Sequence, residues 1–140
     1  MTAARDYEVP ITGFTSYTTA HGAGTLVFVS GITSRGAGGE IRSVGDVAGQ
    51  ADQILRTMTG LLAEAGGTLD DVRQIRTYVL DIETWPRIEQ VWRRHWPDCF
   101  PASTLVQVSR LFDARQLIET DAIAFIPSDA QDASAESAGK

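Results

Sequence analysis

The chain has 140 residues, enough for one ordinary domain with a modest core and too few for two. Its hydrophobic fraction of 43% and charged fraction of 21% are those of a typical globular protein, while the formal net charge is -6. That acidic balance repels phosphate backbones and argues against nucleic acid or an anionic membrane as a general partner.

In chain order, residues 11–19 read as a strand, His21-Gly22-Ala23-Gly24 as a glycine-rich turn and Thr25–Ser30 (TLVFVS) as a second strand, a pattern that suggests a hairpin. Residues 31–39, with Gly36, Gly38 and Gly39, form a loop, and a short strand follows around Glu40–Ser43. The clearest helix spans residues 46–65. Val47, Ala51, Ile54, Met58, Leu61 and Leu62 make its apolar stripe, Gln50, Gln53, Arg56 and Thr57 its polar side, and Gly66-Gly67 its stop. A turn at Thr68–Asp71 leads to a strand at Ile75–Leu80. Thr84 then serves as N-cap for a second helix, which tolerates Pro86 in its first turn. Trp85, Ile88, Val91, Trp92 and Trp96 form the apolar face of that helix, and the basic run Arg93-Arg94-His95 marks its solvent side. After Pro97 the chain gives strands at Ser103–Arg110 and Leu117–Ile126.

The expected architecture is therefore a single α+β domain over residues 1–127, with a mixed sheet of five or six strands and two helices on one face. Residues 128–140 are polar and small, with nothing to repay their ordering entropy, and are expected to form a disordered tail. Two helices cannot cover both faces of such a sheet. Because TLVFVS and TLVQV carry apolar residues on both faces, burial of the second face in another subunit is favoured over exposure to solvent.

Residue types narrow the chemistry further. Eleven of the basic residues are arginines and the one lysine is Lys140, so an internal Schiff-base lysine is excluded. The single cysteine, Cys99, excludes an intramolecular disulfide framework and any multi-cysteine metal site, and a nucleophilic role for it has no visible histidine partner. His21 and His95 cannot build an HExxH motif, so no metal and no cofactor are expected. No signal peptide or membrane span is legible, and a cytoplasmic location is the default.

Taken in order, Tyr17, LVFVSG at 26–31, QADQILRTMTGLLAEAGG at 50–67, VRQIRTYVLDIETW at 72–85, FPASTLVQVSRL at 100–111 and IETDAIAFI at 118–126 resemble the Rid (YjgF/YER057c/UK114) family over roughly residues 13–126. The resemblance implies a chorismate-mutase-like Rid fold in a homotrimer, the sheets forming a central barrel with ligand pockets between subunits. It also implies hydrolysis of reactive enamines or imines such as 2-aminoacrylate.

Carried over residue by residue, Glu119 matches the family glutamate that positions or activates water. Otherwise it is a strand carboxylate paired with an arginine. Asp121 shares its face by alternation, where it either raises Glu119's proton affinity or serves the subunit seam. Tyr17 matches a pocket tyrosine or is an interface aromatic, and Ser30-Gly31 matches the pocket wall or is a simple strand end. The main departure is Ser103. Deaminating members carry arginine after F-P-A, and a serine has neither its charge nor its bidentate fork. Glu89 stands where those members often have asparagine. Together the two changes favour a neutral or cationic ligand over a small acid, unless Arg76 or Arg110 restores a positive charge. The expected activity is hydrolysis or deamination of an enamine, imine or related compound other than 2-aminoacrylate; the alternative is a non-catalytic, small-molecule-binding or regulatory trimer.

Overall fold

The structure, a computed structural model, describes residues 15–128. Its elements are β1 (Gly24–Ile32), α1 (Val47–Glu64), β2 (Val72–Val79), α2 (Trp85–His95), β3 (Ala102–Gln107) and β4 (Ile118–Pro127), with single 3-10 turns before β2 and α2. The strands form one mixed sheet in the order β1-β4-β2-β3. β4 runs antiparallel to β1 and β2, and β2 and β3 run parallel. The parallel pair is joined through α2, as such a crossover requires.

α1 forms where the apolar period begins because Asp46 caps it, its carboxylate accepting from the Gly49 amide at 3.0 Å. It ends at Ala65, where Gly66 takes φ +88 and the Gly67 amide returns to the Leu62 carbonyl at 2.8 Å. Val47, Ala51, Ile54, Leu55, Met58 and Leu62 are buried on the sheet. Two assignments on this helix are corrected. Leu61 is 42% exposed, and Gln50, expected on the polar side, is fully buried. Its amide nitrogen donates to the Arg115 carbonyl at 2.8 Å, and its oxygen accepts from the Leu117 amide at 2.8 Å. A side chain that satisfies a neighbouring loop's backbone can lie inside without the usual penalty.

α2 buries Ile88, Val91 and Trp92 in the same core. Trp92 and Trp96 meet edge to face with centroids 6.1 Å apart, and the Trp96 indole donates to the Leu69 carbonyl at 3.0 Å. The tryptophans at 92 and 96 are thus structural. Thr84 does precede the helix, but its hydroxyl donates back to the Asp81 carbonyl at 2.6 Å and makes no cap.

Among the described residues, four strands stand where five or six were expected. Residues 15–19 are not a strand: the Thr15 and Thr18 hydroxyls donate to the carbonyls of Phe100 and Arg73, both at 2.6 Å. This segment is therefore tied to the sheet by side chains, not by a ladder. β1 accordingly pairs with β4, not with that segment, and residues 11–14 of the expected strand lie outside the described residues. The strand expected at 40–43 reduces to one bridge, Arg35 to Ile41. β3 stops at Gln107, just before its last backbone bond, from the Val108 amide to the Val79 carbonyl at the end of β2. Ser128 is held by the Ala23 carbonyl at 3.1 Å, so the tail expectation applies to residues 129–140, which lie outside the described residues.

Both helices pack on one face of the sheet, against Val29, Ile75, Val79, Ile118, Ala122 and Ala124. The other face carries Leu26, Phe28 and Val106, which are 56%, 72% and 42% exposed. Among the described residues, no helix is long and apolar enough to cross a membrane.

Candidate functional site

The site residues are set by one irregularity in β1. Val29 pairs with Ala122 and Ile32 with Thr120, so three steps on β1 match two on β4. Val29 and Ile32 both face the core, and the extra residue leaves Ser30 and Gly31 exposed side by side. A bulge of this kind re-aims side chains locally. Here it brings Gly31 against the Glu119 carboxylate, whose Oε1 occupies the space a Cβ on Gly31 would need.

Glu119 is half-buried and, among the described residues, makes no hydrogen bond or ion pair. The carboxylate on this face that does pair with an arginine is Asp121. Arg76 Nε donates to Asp121 Oδ1 at 2.9 Å, and that carboxylate holds the Arg76 guanidinium above its ordinary range. Tyr78 donates to Asp121 Oδ2 at 3.4 Å. Glu119 stands directly across from Tyr78 in the β2–β4 register, and Asp121 across from Arg76, so all four lie on the face away from the helices. No local signal marks Tyr78, because the register that sets it opposite Glu119 depends on strand pairing.

The other predicted residues lie elsewhere. Tyr17, 46% exposed, sits between Thr15 and Thr18, which are tied to the chain just before β3 and at the start of β2. From Arg73 to Tyr78 is about 16 Å along an extended strand. Tyr17 and Glu119 are therefore at opposite ends of the sheet. Ser103 pairs with the fully buried Ile75 and shares its helix-facing side, and its hydroxyl is buried without a partner among the described residues. Glu89 belongs to the helix layer, where Arg93 donates to it at 3.1 and 2.6 Å. The Arg93 guanidinium in turn lies 5.7 Å from the centre of the Phe100 ring, so Glu89 reaches toward the head of β3 and its charge is matched. Arg110 is exposed beyond the end of β3, at the Glu119 end of the sheet.

Two concavities lie away from these residues. One, of about 220 Å³, is lined by Asp70, Trp96, Pro97, Asp98 and Cys99. The other, of about 420 Å³, is lined by Asp52, Arg56, Arg94 and His95. Cys99 lies 3.2 Å from the Thr15 hydroxyl, whereas His95 is engaged across the helices with Asp52 at 2.9 Å. Among the described residues, no cluster of three or more histidine, cysteine or acidic side chains is placed to hold a metal.

With this geometry, the comparison with known proteins is decisive for the family. The endoribonuclease L-PSP family model matches residues 9–126. The chain belongs to that family, the Rid (YjgF/YER057c/UK114) proteins. It is similar to the 3-aminoacrylate deaminase RutC of Acinetobacter baylyi, at 34% identity over 79% of this chain and 86% of the relative. A RutC family protein of Pyrococcus abyssi is 33% identical over 78% of this chain and 85% of its own. Among solved structures, the Rid protein superposes on Rv2704 of Mycobacterium tuberculosis with a TM-score of 0.65 and 33% identity, covering 74% of this chain and 81% of that one. YyfB of Yersinia pestis, a Rid protein of unknown function, gives 0.74 at 26% identity over 81% and 87%. The Rid fold expected from the sequence is the observed one.

Proposed function

We propose that this Rid protein is a small-molecule hydrolase or deaminase that adds water to an enamine, imine or related unsaturated carbon, in a pocket completed by a second copy within a homotrimer. The observation that carries the reading is Glu119: a half-buried carboxylate, unpartnered among the described residues, set over Gly31 on the sheet face the helices leave bare. A carboxylate held without a partner is available to orient water and take its proton.

The division of the predicted residues supports assembly. Ser30, Gly31 and Glu119 lie at one end of the sheet, and Tyr17 at the other. A ring of copies brings one end against the other, so that Tyr17 of one subunit closes over Glu119 of the next. The exposed Leu26, Phe28 and Val106 supply the apolar contact.

At the site, Glu119 takes a proton from water as its oxygen bonds to the sp² carbon, and the nitrogen of the C=N group is protonated. The resulting carbinolamine collapses to a carbonyl, releasing ammonia, so that the net change is one water consumed per ammonia formed. An enamine reaches the same path after protonation at carbon. Likeness to a 3-aminoacrylate deaminase supports the reaction class. Ser103 argues against the small-acid substrate: its hydroxyl is uncharged and lies on the helix-facing side. We therefore assign a neutral or cationic substrate, and a cytoplasmic setting as the default.

The same observation favours the second reading, a non-catalytic small-molecule-binding or regulatory trimer, in which the face binds without turning over. Ammonia release from enzymatically generated imines, by wild type and Glu119→Gln, separates the two. Loss of the acceleration in the variant supports catalysis, and no acceleration by wild type supports the binder. Ribonuclease activity draws no support from a chain of net charge -6 whose candidate face carries two carboxylates.

A further inference from the structure

We propose that Tyr78 determines ligand specificity at the Glu119 site, its phenol oxygen accepting a hydrogen bond from a ligand N–H, so that the site selects a nitrogen-bearing cation such as an amidinium. The inference rests on Glu119 being the site's carboxylate, and it adds a second acceptor and a ligand class to that reading.

Three observations carry it. Tyr78 is the cross-strand partner of Glu119, on the same bare face, so the two side chains stand as neighbours. Its hydroxyl proton is directed to Asp121 Oδ2, at 3.4 Å. An ionised carboxylate only accepts, so a phenol facing it must donate, and its own oxygen then presents lone pairs outward. Arg76 fixes this polarity by bonding the other oxygen of Asp121 at 2.9 Å. Asp121 and Arg76 are positioning residues in this scheme. The row thus offers two acceptors, Glu119 and Tyr78. Its one guanidinium is already paired, so two carboxylates face one cation. A flat cation with several N–H groups satisfies both acceptors at once, while a carboxylate meets the unpartnered Glu119.

The test is calorimetric titration of the full-length protein with benzamidine and with benzoate, its isosteric anion. Wild type, Tyr78→Phe, Asp121→Asn and Glu119→Gln are compared, each checked for assembly and thermal unfolding. Benzamidine should bind wild type more tightly than benzoate. Tyr78→Phe should weaken benzamidine about tenfold, the scale of one hydrogen bond to a charged group, and leave benzoate and the melting temperature unchanged. Asp121→Asn should weaken benzamidine as well, because the new amide can donate to the phenol oxygen and occupy it. Benzoate binding as tightly as benzamidine, or no benzamidine binding at millimolar concentration, overturns the proposal. If Glu119→Gln weakens benzamidine and Tyr78→Phe does not, the role of Tyr78 is wrong and the Glu119 site stands. If neither variant changes benzamidine binding, the Glu119 site itself is wrong.

Discussion

The Glu119 carboxylate rests on Gly31, filling the volume that a side chain at that position would take. The contact depends on the bulge that turns Ser30 and Gly31 outward together, opposite a strand that has only Asp121 to match them. Alanine at position 31 meets no unusual backbone angle there, so its cost falls on the carboxylate. Gly31→Ala should lower Glu119-dependent turnover at least about tenfold, as a misplacement near 1 Å can cost up to 10²-fold. The melting temperature should barely move. Unchanged turnover would show that the Glu119 position over Gly31 is immaterial.

Exposed apolar residues on the bare sheet face mark a candidate contact surface for a second copy. Phe28 is 72% exposed, and a charge there should split the assembly. Sedimentation equilibrium should give three chain masses for wild type and predominantly one for Phe28→Glu. Wild-type thermal stability should also rise with protein concentration. A wild-type monomer at micromolar concentration would rule the trimer out.

Gln50 joins the buried face of α1 to the backbone of Arg115 and Leu117 just before β4. Gln50→Leu keeps the volume and leaves an amide and a carbonyl unpaired, at about 1–3 kcal/mol for each buried group. We expect a loss of about 3 kcal/mol in chemical denaturation. A loss below about 0.5 kcal/mol would mean that water satisfies both groups.

Asp52 is held below its ordinary value of 3.8, chiefly by the hydrogen bond from Arg56 and then by that from His95. A carboxylate with a depressed folded-state pKa stabilises above its unfolded value, and the stabilisation is lost as pH falls through the folded one. Wild type should therefore exceed Asp52→Asn in melting temperature at pH 5–7, with the gap closing below about pH 4. Arg56 is 69% exposed, so the gap should be small and shrink with salt. A gap that widens in acid would contradict the assignment.

Much of the fold was legible because its signals are local. The 3.6-residue stripe of α1, the Gly66 stop and the tryptophan face of α2 follow from near neighbours in sequence. What escaped the sequence is non-local. Gln50 looks polar until the amide of Leu117, 67 positions away, donates to it, and the partner of β1 is the last strand. The site divides in the same way. The family pattern points to Glu119, Ser30 and Gly31 as candidates, alternation puts Asp121 on the face of Glu119, and strand pairing sets the four near one another. The Arg76–Asp121 pair and Tyr78 opposite Glu119 follow from strand register, which the sequence does not encode locally.

The proposed division of labour is that Glu119 turns over enamines or imines while serine in place of arginine at position 103 excludes small acids. It is tested most directly by ammonia release from enzymatically generated substrates: 2-aminoacrylate, 3-aminoacrylate, and neutral or cationic imines that are unsubstituted on nitrogen and carry no carboxylate. Wild type, Glu119→Gln and Ser103→Arg are compared, each corrected for spontaneous hydrolysis. Wild type should accelerate hydrolysis of the neutral and cationic imines, and Glu119→Gln should reduce that acceleration about 10²-fold or more, as removal of a general base typically does. Wild-type activity on the two acrylates should be small. Efficient wild-type turnover of either acrylate, or full activity in Glu119→Gln, would contradict that division of labour.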